Sequence, residues 1–144
     1  MLFRSATFYQ LDPATGKGRE LARANVGPAV LGDWSLSPDG TMVATVNLRR
    51  DPATIHVIYL DQAPLEKEIP IQGPPPARAV LPAWTADGKG WFFPVAGDRM
   101  RRFNWDGTSR YVHEVHNWLV PTADGQRVAF LDLARDCNVW ICRR

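Results

Sequence analysis

Cysteine is scarce: the 144 residues contain two, Cys137 and Cys142. On an extended strand their spacing separates the Cα atoms by roughly 16 Å. A disulfide needs about 7 Å or less. The pair therefore reads as free thiols, which favours a reducing compartment. No apolar run approaches the length of a membrane span. Met1 to Ser5 leads into polar, strand-like sequence rather than an apolar signal core. As written, the chain is expected to be soluble and cytoplasmic; a piece of a longer envelope protein would be periplasmic. The net charge of +2 is too small for an electrostatic nucleic-acid binder, so no direct nucleic-acid contact is expected.

Catalytic signatures are missing as well. There is no Gly-x-Ser-x-Gly elbow. Gly16-Lys17-Gly18 lacks the rest of a phosphate loop. No nucleophile stands at a plausible spacing from a base. His113-Glu114-Val115-His116 is one residue short of the helical zinc motif, and on a strand residues three apart face opposite ways. It reads as a polar connecting segment. The expectation is a non-enzyme with no cofactor and no metal.

Short apolar runs are plentiful. Hydrophobic residues make up 45% and charged residues 22%, and 12 Pro and 11 Gly punctuate the runs. That is the pattern of an all-β chain with many turns. One motif recurs three times: Trp34-Ser35-Leu36-Ser37-Pro38-Asp39-Gly40, then Trp84-Thr85-Ala86-Asp87-Gly88, then Pro121-Thr122-Ala123-Asp124-Gly125. Each is followed by an apolar strand. Asp-Gly between apolar runs is a strong hairpin signal, because glycine supplies the positive φ of a tight turn without strain.

A second hairpin pattern interleaves with the first. It covers Thr7 to Ala22, Ile55 to Ile71 and Met100 to Val112, turning at or near Asp12, Asp61 and Asp106-Gly107. Cys137 to Cys142 opens a fourth copy. Asp39 and Asp87 are 48 residues apart, and Asp87 and Asp124 are 37 apart. These spacings bracket one four-stranded propeller blade. A β-sandwich is the alternative, but simple sandwiches do not repeat one turn motif in register.

The Ser-Pro-Asp-Gly hairpin, the Trp before it, and the later Leu-Asp or Trp-Asp-Gly turn resemble the TolB-like variety of WD40-like β-propeller repeat. The stretch from Ala83 to Gly90, with Asn138-Val139-Trp140, is similar to the last blades of propellers in bacterial winged-helix regulators and membrane-anchored Ser/Thr kinases. The fold class expected is all-β, a partial propeller of about three and a half four-stranded antiparallel blades. The division is a half blade at 1–24, blades at 25–73 and 74–115, and an incomplete blade at 116–144.

The turn carboxylates, Asp12, Asp39, Asp61, Asp87, Asp106 and Asp124, are expected to cap turn amides. The aromatic residues are expected to fill the wedges between blades. In a propeller the a–b and c–d turns share one face, and the other loops share the opposite face. Arg49, Arg50, Arg78, Arg99, Arg135 and His116 are thereby expected on the face opposite the Asp-rich turns, together with Arg23 and His113 and flanked by Arg101 and Arg102. Such segregation suits an acidic protein or small acidic ligand. The function expected is a ligand- or protein-binding propeller module of a larger bacterial regulatory or envelope protein. The alternative is an accessory propeller of a hydrolase or peptidase whose catalytic domain lies elsewhere. Three and a half blades do not close a ring. The chain is therefore expected to be part of a longer propeller or to form a homodimer.

Overall fold

A computed structural model describes residues 5–25, 34–48, 50–61, 65–73, 81–96, 99–114, 119–131 and 139–143. These residues form strands and turns, with no helix among them. The strands are β1 (Ser5–Leu11), β2 (Gly18–Asn25), β3 (Ser35–Leu36), β4 (Met42–Asn47), β5 (Thr54–Tyr59), β6 (Glu66–Pro70), β7 (Ala83–Trp84), β8 (Gly90–Val95), β9 (Arg99–Asn104), β10 (Ser109–Glu114), β11 (Leu119–Pro121), β12 (Arg127–Leu131) and β13 (Val139–Arg143). They make four antiparallel sheets in chain order: β1-β2, β3-β4-β5-β6, β7-β8-β9-β10 and β11-β12-β13. Every strand pairs with its sequence neighbour, so each sheet is a meander with no crossover.

The middle strands explain the stacking. β4 reads Met-Val-Ala-Thr-Val-Asn and β5 reads Thr-Ile-His-Val-Ile-Tyr, rich in the β-branched residues that favour a pleated surface. Both are buried along almost their whole length. A strand with one face in water would alternate; these bury both faces, so a layer lies on each side.

Three apolar clusters mark those interfaces. Ala22 and Ala24 of the first sheet pack with Val43 and Ile58 of the second. Val46, Ile55, Val57 and Ile69 of the second pack with Trp84, Trp91, Phe93 and Phe103 of the third. Phe92 and Met100 of the third pack with Leu119, Val128 and Phe130 of the fourth. The consecutive Trp91-Phe92-Phe93 therefore serves two interfaces, with Phe92 pointing one way and its neighbours the other. Phe93 and Phe103 stack face to face, centroids 4.0 Å apart.

Polar bonds stitch the second and third sheets together. Trp84 Nε1 donates to the Ser35 carbonyl at 3.0 Å, linking the two innermost strands. The Gln72 amide donates to the Gly107 carbonyl at 3.2 Å, seating the β9–β10 turn on the end of β6. Lys67 lies over the Trp105 ring, 5.2 Å from its centroid.

Candidate functional site

The Asp turns are built alike. At the β3–β4 turn, Asp39 Oδ1 accepts from the Thr41 amide at 3.0 Å and from the Ser37 hydroxyl at 2.6 Å. At β7–β8, Asp87 accepts from the Lys89 amide at 3.0 Å and the Thr85 hydroxyl at 2.6 Å. At β11–β12, Asp124 accepts from the Gln126 amide at 2.9 Å and from the Thr122 hydroxyl. A hydroxyl two residues before the Asp thus closes each clamp. Asp12 and Asp106 do the same with the amides of Ala14 and Thr108, both at 2.9 Å, and with the hydroxyls of Thr15 and Thr108. Gly40, Gly88, Gly107 and Gly125 follow their Asp residues with φ between +65° and +80°. Asp61 is exposed, and the three residues that follow lie outside the described residues.

Hydrogen bonds to the charged form hold these carboxyls below their ordinary value. For Asp39 the Ser37 hydroxyl contributes most, then the Thr41 amide. For Asp87 it is the Thr85 hydroxyl, then the Lys89 amide. For Asp124 it is the Thr122 hydroxyl, then the Gln126 amide. A carboxyl depressed in the folded state stabilises it above the unfolded value and loses that effect as pH falls through the folded value. Stability should hold down to about pH 5 and then decline through and below the ordinary 3.8. A triple Asp39→Asn, Asp87→Asn, Asp124→Asn variant should be less stable at neutral pH and show a shallower acid limb. Thermal melts between neutral pH and about pH 3 measure this; parallel limbs for both proteins would contradict it.

The opposite end of the sheets carries different chemistry. Arg50 lies in the β4–β5 connection, and Arg99 opens β9 directly after the β8–β9 connection. Each is at the end of its sheet away from Asp39 or Asp87. Arg50 is not free: its Nη2 contacts Glu68 Oε1 of β6 at 3.3 Å. Arg49, Arg78, Arg135 and His116 lie outside the described residues. Two expected connection residues are strand residues instead. Arg23 is in β2, opposite Thr7 and ion-paired with Glu20 at 3.5 Å. His113 is in β10, opposite Met100, with its ring edge-on to Phe130 at 5.4 Å. The outer hairpins extend further than their turn signals suggest, and each contains a register shift. Arg101 and Arg102 sit within β9. Arg101 is bound to the Ser109 hydroxyl and carbonyl at 2.9 and 3.1 Å.

A groove of about 700 Å³ lies between the first hairpin and the turn end of the second sheet. Phe8, Tyr9, Leu36 and Leu60 are among its apolar lining, and Arg19 and Asp61 also line it. Tyr9 and Leu36 are more than half exposed, at 56% and 59%. The sequence gives no local sign of this groove, because it depends on how β1-β2 leans on the next sheet. Its size is in the range of small-molecule sites, about 300–1,000 Å³. Among the described residues there is no group of three or more His, Cys, Asp or Glu side chains placed to hold a metal. No described helix is long and apolar enough to cross a membrane.

Meander sheets stacked face to face in chain order define a β-propeller. No family model and no curated protein matches the sequence. Solved structures do. TolB from Acinetobacter baumannii superposes with a TM-score of 0.66 at 19% identity, covering 94% of this chain and 34% of that one. A structure of a nidogen/laminin complex gives 0.68 at 14% identity, with coverage of 94% and 52%. The periplasmic gluconolactonase of Pseudomonas aeruginosa gives 0.54 at 15% identity, with coverage of 98% and 49%. The chain spans between a third and about half of the length of these three chains. It has the TolB-like β-propeller fold, in part.

Proposed function

We propose that the chain is a non-enzymatic binding module that presents a rigid propeller surface to a protein or a small acidic ligand. One observation carries this reading. Asp39, Asp87, Asp106 and Asp124 are bound to their own turn hydroxyls and amides, so these four conspicuous carboxylates serve the scaffold. Groups held in this way are poor general acids or bases, because each is kept ionised by its own turn. At the other end of the sheets stand Arg50, in the β4–β5 connection, and Arg99, the first residue of β9, both away from the clamps. Arginine recognises carboxylates in a planar, two-pronged geometry. Arg49, Arg78, Arg135 and His116 extend this proposed face from the sequence.

The test has two arms. Peptidase, esterase and lactonase substrates should give no turnover above background with purified protein. An acidic binder selected from a peptide library should lose affinity when Arg50 and Arg99 are jointly replaced by serine. Turnover abolished by one point substitution would instead support a role in hydrolysis. Binding indifferent to both arginines would remove this face from the account.

A further inference from the structure

The β9–β10 hairpin carries a pair of arginines with no ion-pair partner among the described residues. Arg102 of β9 and Arg110 of β10 are direct cross-strand partners. Arg102 is also opposite Phe92 of β8, which packs toward the fourth sheet. Directly opposed residues share a face, so both arginines lie on the side of the third sheet that looks at β11-β12-β13. His113, opposite Met100, lies on the same side and touches Phe130. Like charges directly opposite one another destabilise a sheet. Elsewhere arginines meet carboxylates: Arg23 with Glu20, and Arg50 with Glu68. Among the described residues no ion pair includes Arg102 or Arg110.

The Arg102 guanidinium is fixed in place and under-used. Its Nη1 donates to Asn104 Oδ1 at 3.1 Å, and Asn104 is held in turn by the Thr108 hydroxyl at 3.0 Å. Its Nε is buried without an acceptor. The acid nearest in effect is Asp87, whose depressed titration includes a minor contribution from the Arg102 charge. That carboxylate is already bound to Thr85 and Lys89 and does not pair with the arginine. Arg110 is exposed.

We propose that Arg102 and Arg110 form a receiving site for a carboxylate side chain of an acidic peptide segment of a partner protein, docking against the outer part of the β9–β10 hairpin. The site rests on the reading of the chain as a binding module but lies on a sheet face, away from the connection loops around Arg50. An incoming carboxylate relieves the opposed charges, reaching the exposed Arg110 and the half-buried Arg102 guanidinium that Asn104 holds in position. A partner side chain of this kind forms charge-assisted hydrogen bonds, the stronger class.

The experiment is fluorescence anisotropy of a fluorescein-labelled octaglutamate peptide with the full chain at low salt. The wild type should bind, and added salt should weaken binding. Arg110→Gln and Arg102→Gln should each weaken it by roughly tenfold, the effect of one lost charge-assisted bond. Arg23→Gln, an equal loss of charge in β2 where Glu20 already pairs the arginine, should leave it unchanged. Arg110→Gln should also keep or raise the melting temperature, because it removes a like-charge opposition, so lost binding cannot be put down to unfolding. If the peptide fails to bind, or binds the Arg102 and Arg110 variants as well as the wild type, the proposal is overturned. Loss only in an Arg50→Gln/Arg99→Gln variant would overturn it while leaving the binding-module reading intact. Displacement by inorganic phosphate as effective as by unlabelled peptide, or equal binding of a labelled single-stranded oligonucleotide, would overturn the acidic-peptide assignment.

Discussion

Gly107→Ala is expected to destabilise the protein by about 3 kcal/mol, combining left-handed backbone strain with steric overlap. For a chain of this size that is a fall in melting temperature on the order of 10 °C. Two effects add. Gly107 has a φ of +80°, where a Cβ is strained. A Cβ there would also stand 2.0 Å from the Pro70 carbonyl oxygen, a backbone atom of the neighbouring sheet. That carbonyl is at the end of β6, and the next residues hold the turn: the Gln72 amide donates to the Gly107 carbonyl at 3.2 Å. The turn cannot move away without breaking this contact. Gly40 is the control. Its φ is +74°, but a Cβ added there meets nothing within 4 Å. Gly40→Ala should cost only the backbone term, about 1 kcal/mol. Chemical denaturation of both variants measures the gap. Equal losses would mean that the β9–β10 turn does not rest on the second sheet.

Trp84→Ala is expected to cost about 3–5 kcal/mol, the range for truncating a buried tryptophan. Trp84 is 4% exposed and contacts Trp91 and Trp105, with ring centroids at 4.9 and 6.1 Å. It also bridges two sheets through its 3.0 Å bond to the Ser35 carbonyl. Trp84→Phe keeps most of the apolar volume and removes only that bond, so about 1–2 kcal/mol is expected. Near-ultraviolet circular dichroism should change in both variants, because the clustered indoles lose their fixed arrangement. A cost below about 1 kcal/mol for the alanine variant would contradict a packed interface between β3 and β7.

The two glycines show what the sequence discloses and what it does not. A tight turn is a local event, and Asp39-Gly40 or Asp106-Gly107 is visible in two adjacent letters. Alternating and continuous apolar runs likewise marked the hairpins and the all-β class. The hydroxyls of Ser37, Thr85 and Thr122 were in the repeat as written, two residues before each Asp, but they read as strand residues rather than as half of a clamp. The spacing was available; the geometry that lets a hydroxyl and an amide share one carboxylate oxygen was not. Contacts between sheets lie further out of reach. Nothing around Trp84 names Ser35, 49 residues away, and nothing around Gly107 names Pro70. The arginines were found by type and loop position. Their partners decide their use: the reach of Arg50 to Glu68 depends on how the connection folds over β6, and Arg110 opposite Arg102 depends on cross-strand register, which no periodicity specifies.

The strands form successive meanders stacked as propeller blades, and backbone amide NOEs in a labelled sample read that pairing. Cross-peaks should run β3-β4-β5-β6 and β7-β8-β9-β10 in sequence order. The Trp84 indole proton should show a contact to Ser35, and Gly107 one to Pro70 or Gln72. Pairing of β7 with β10, or of strands from the second sheet with strands from the third, would give the crossover pattern of a β-sandwich and contradict the account.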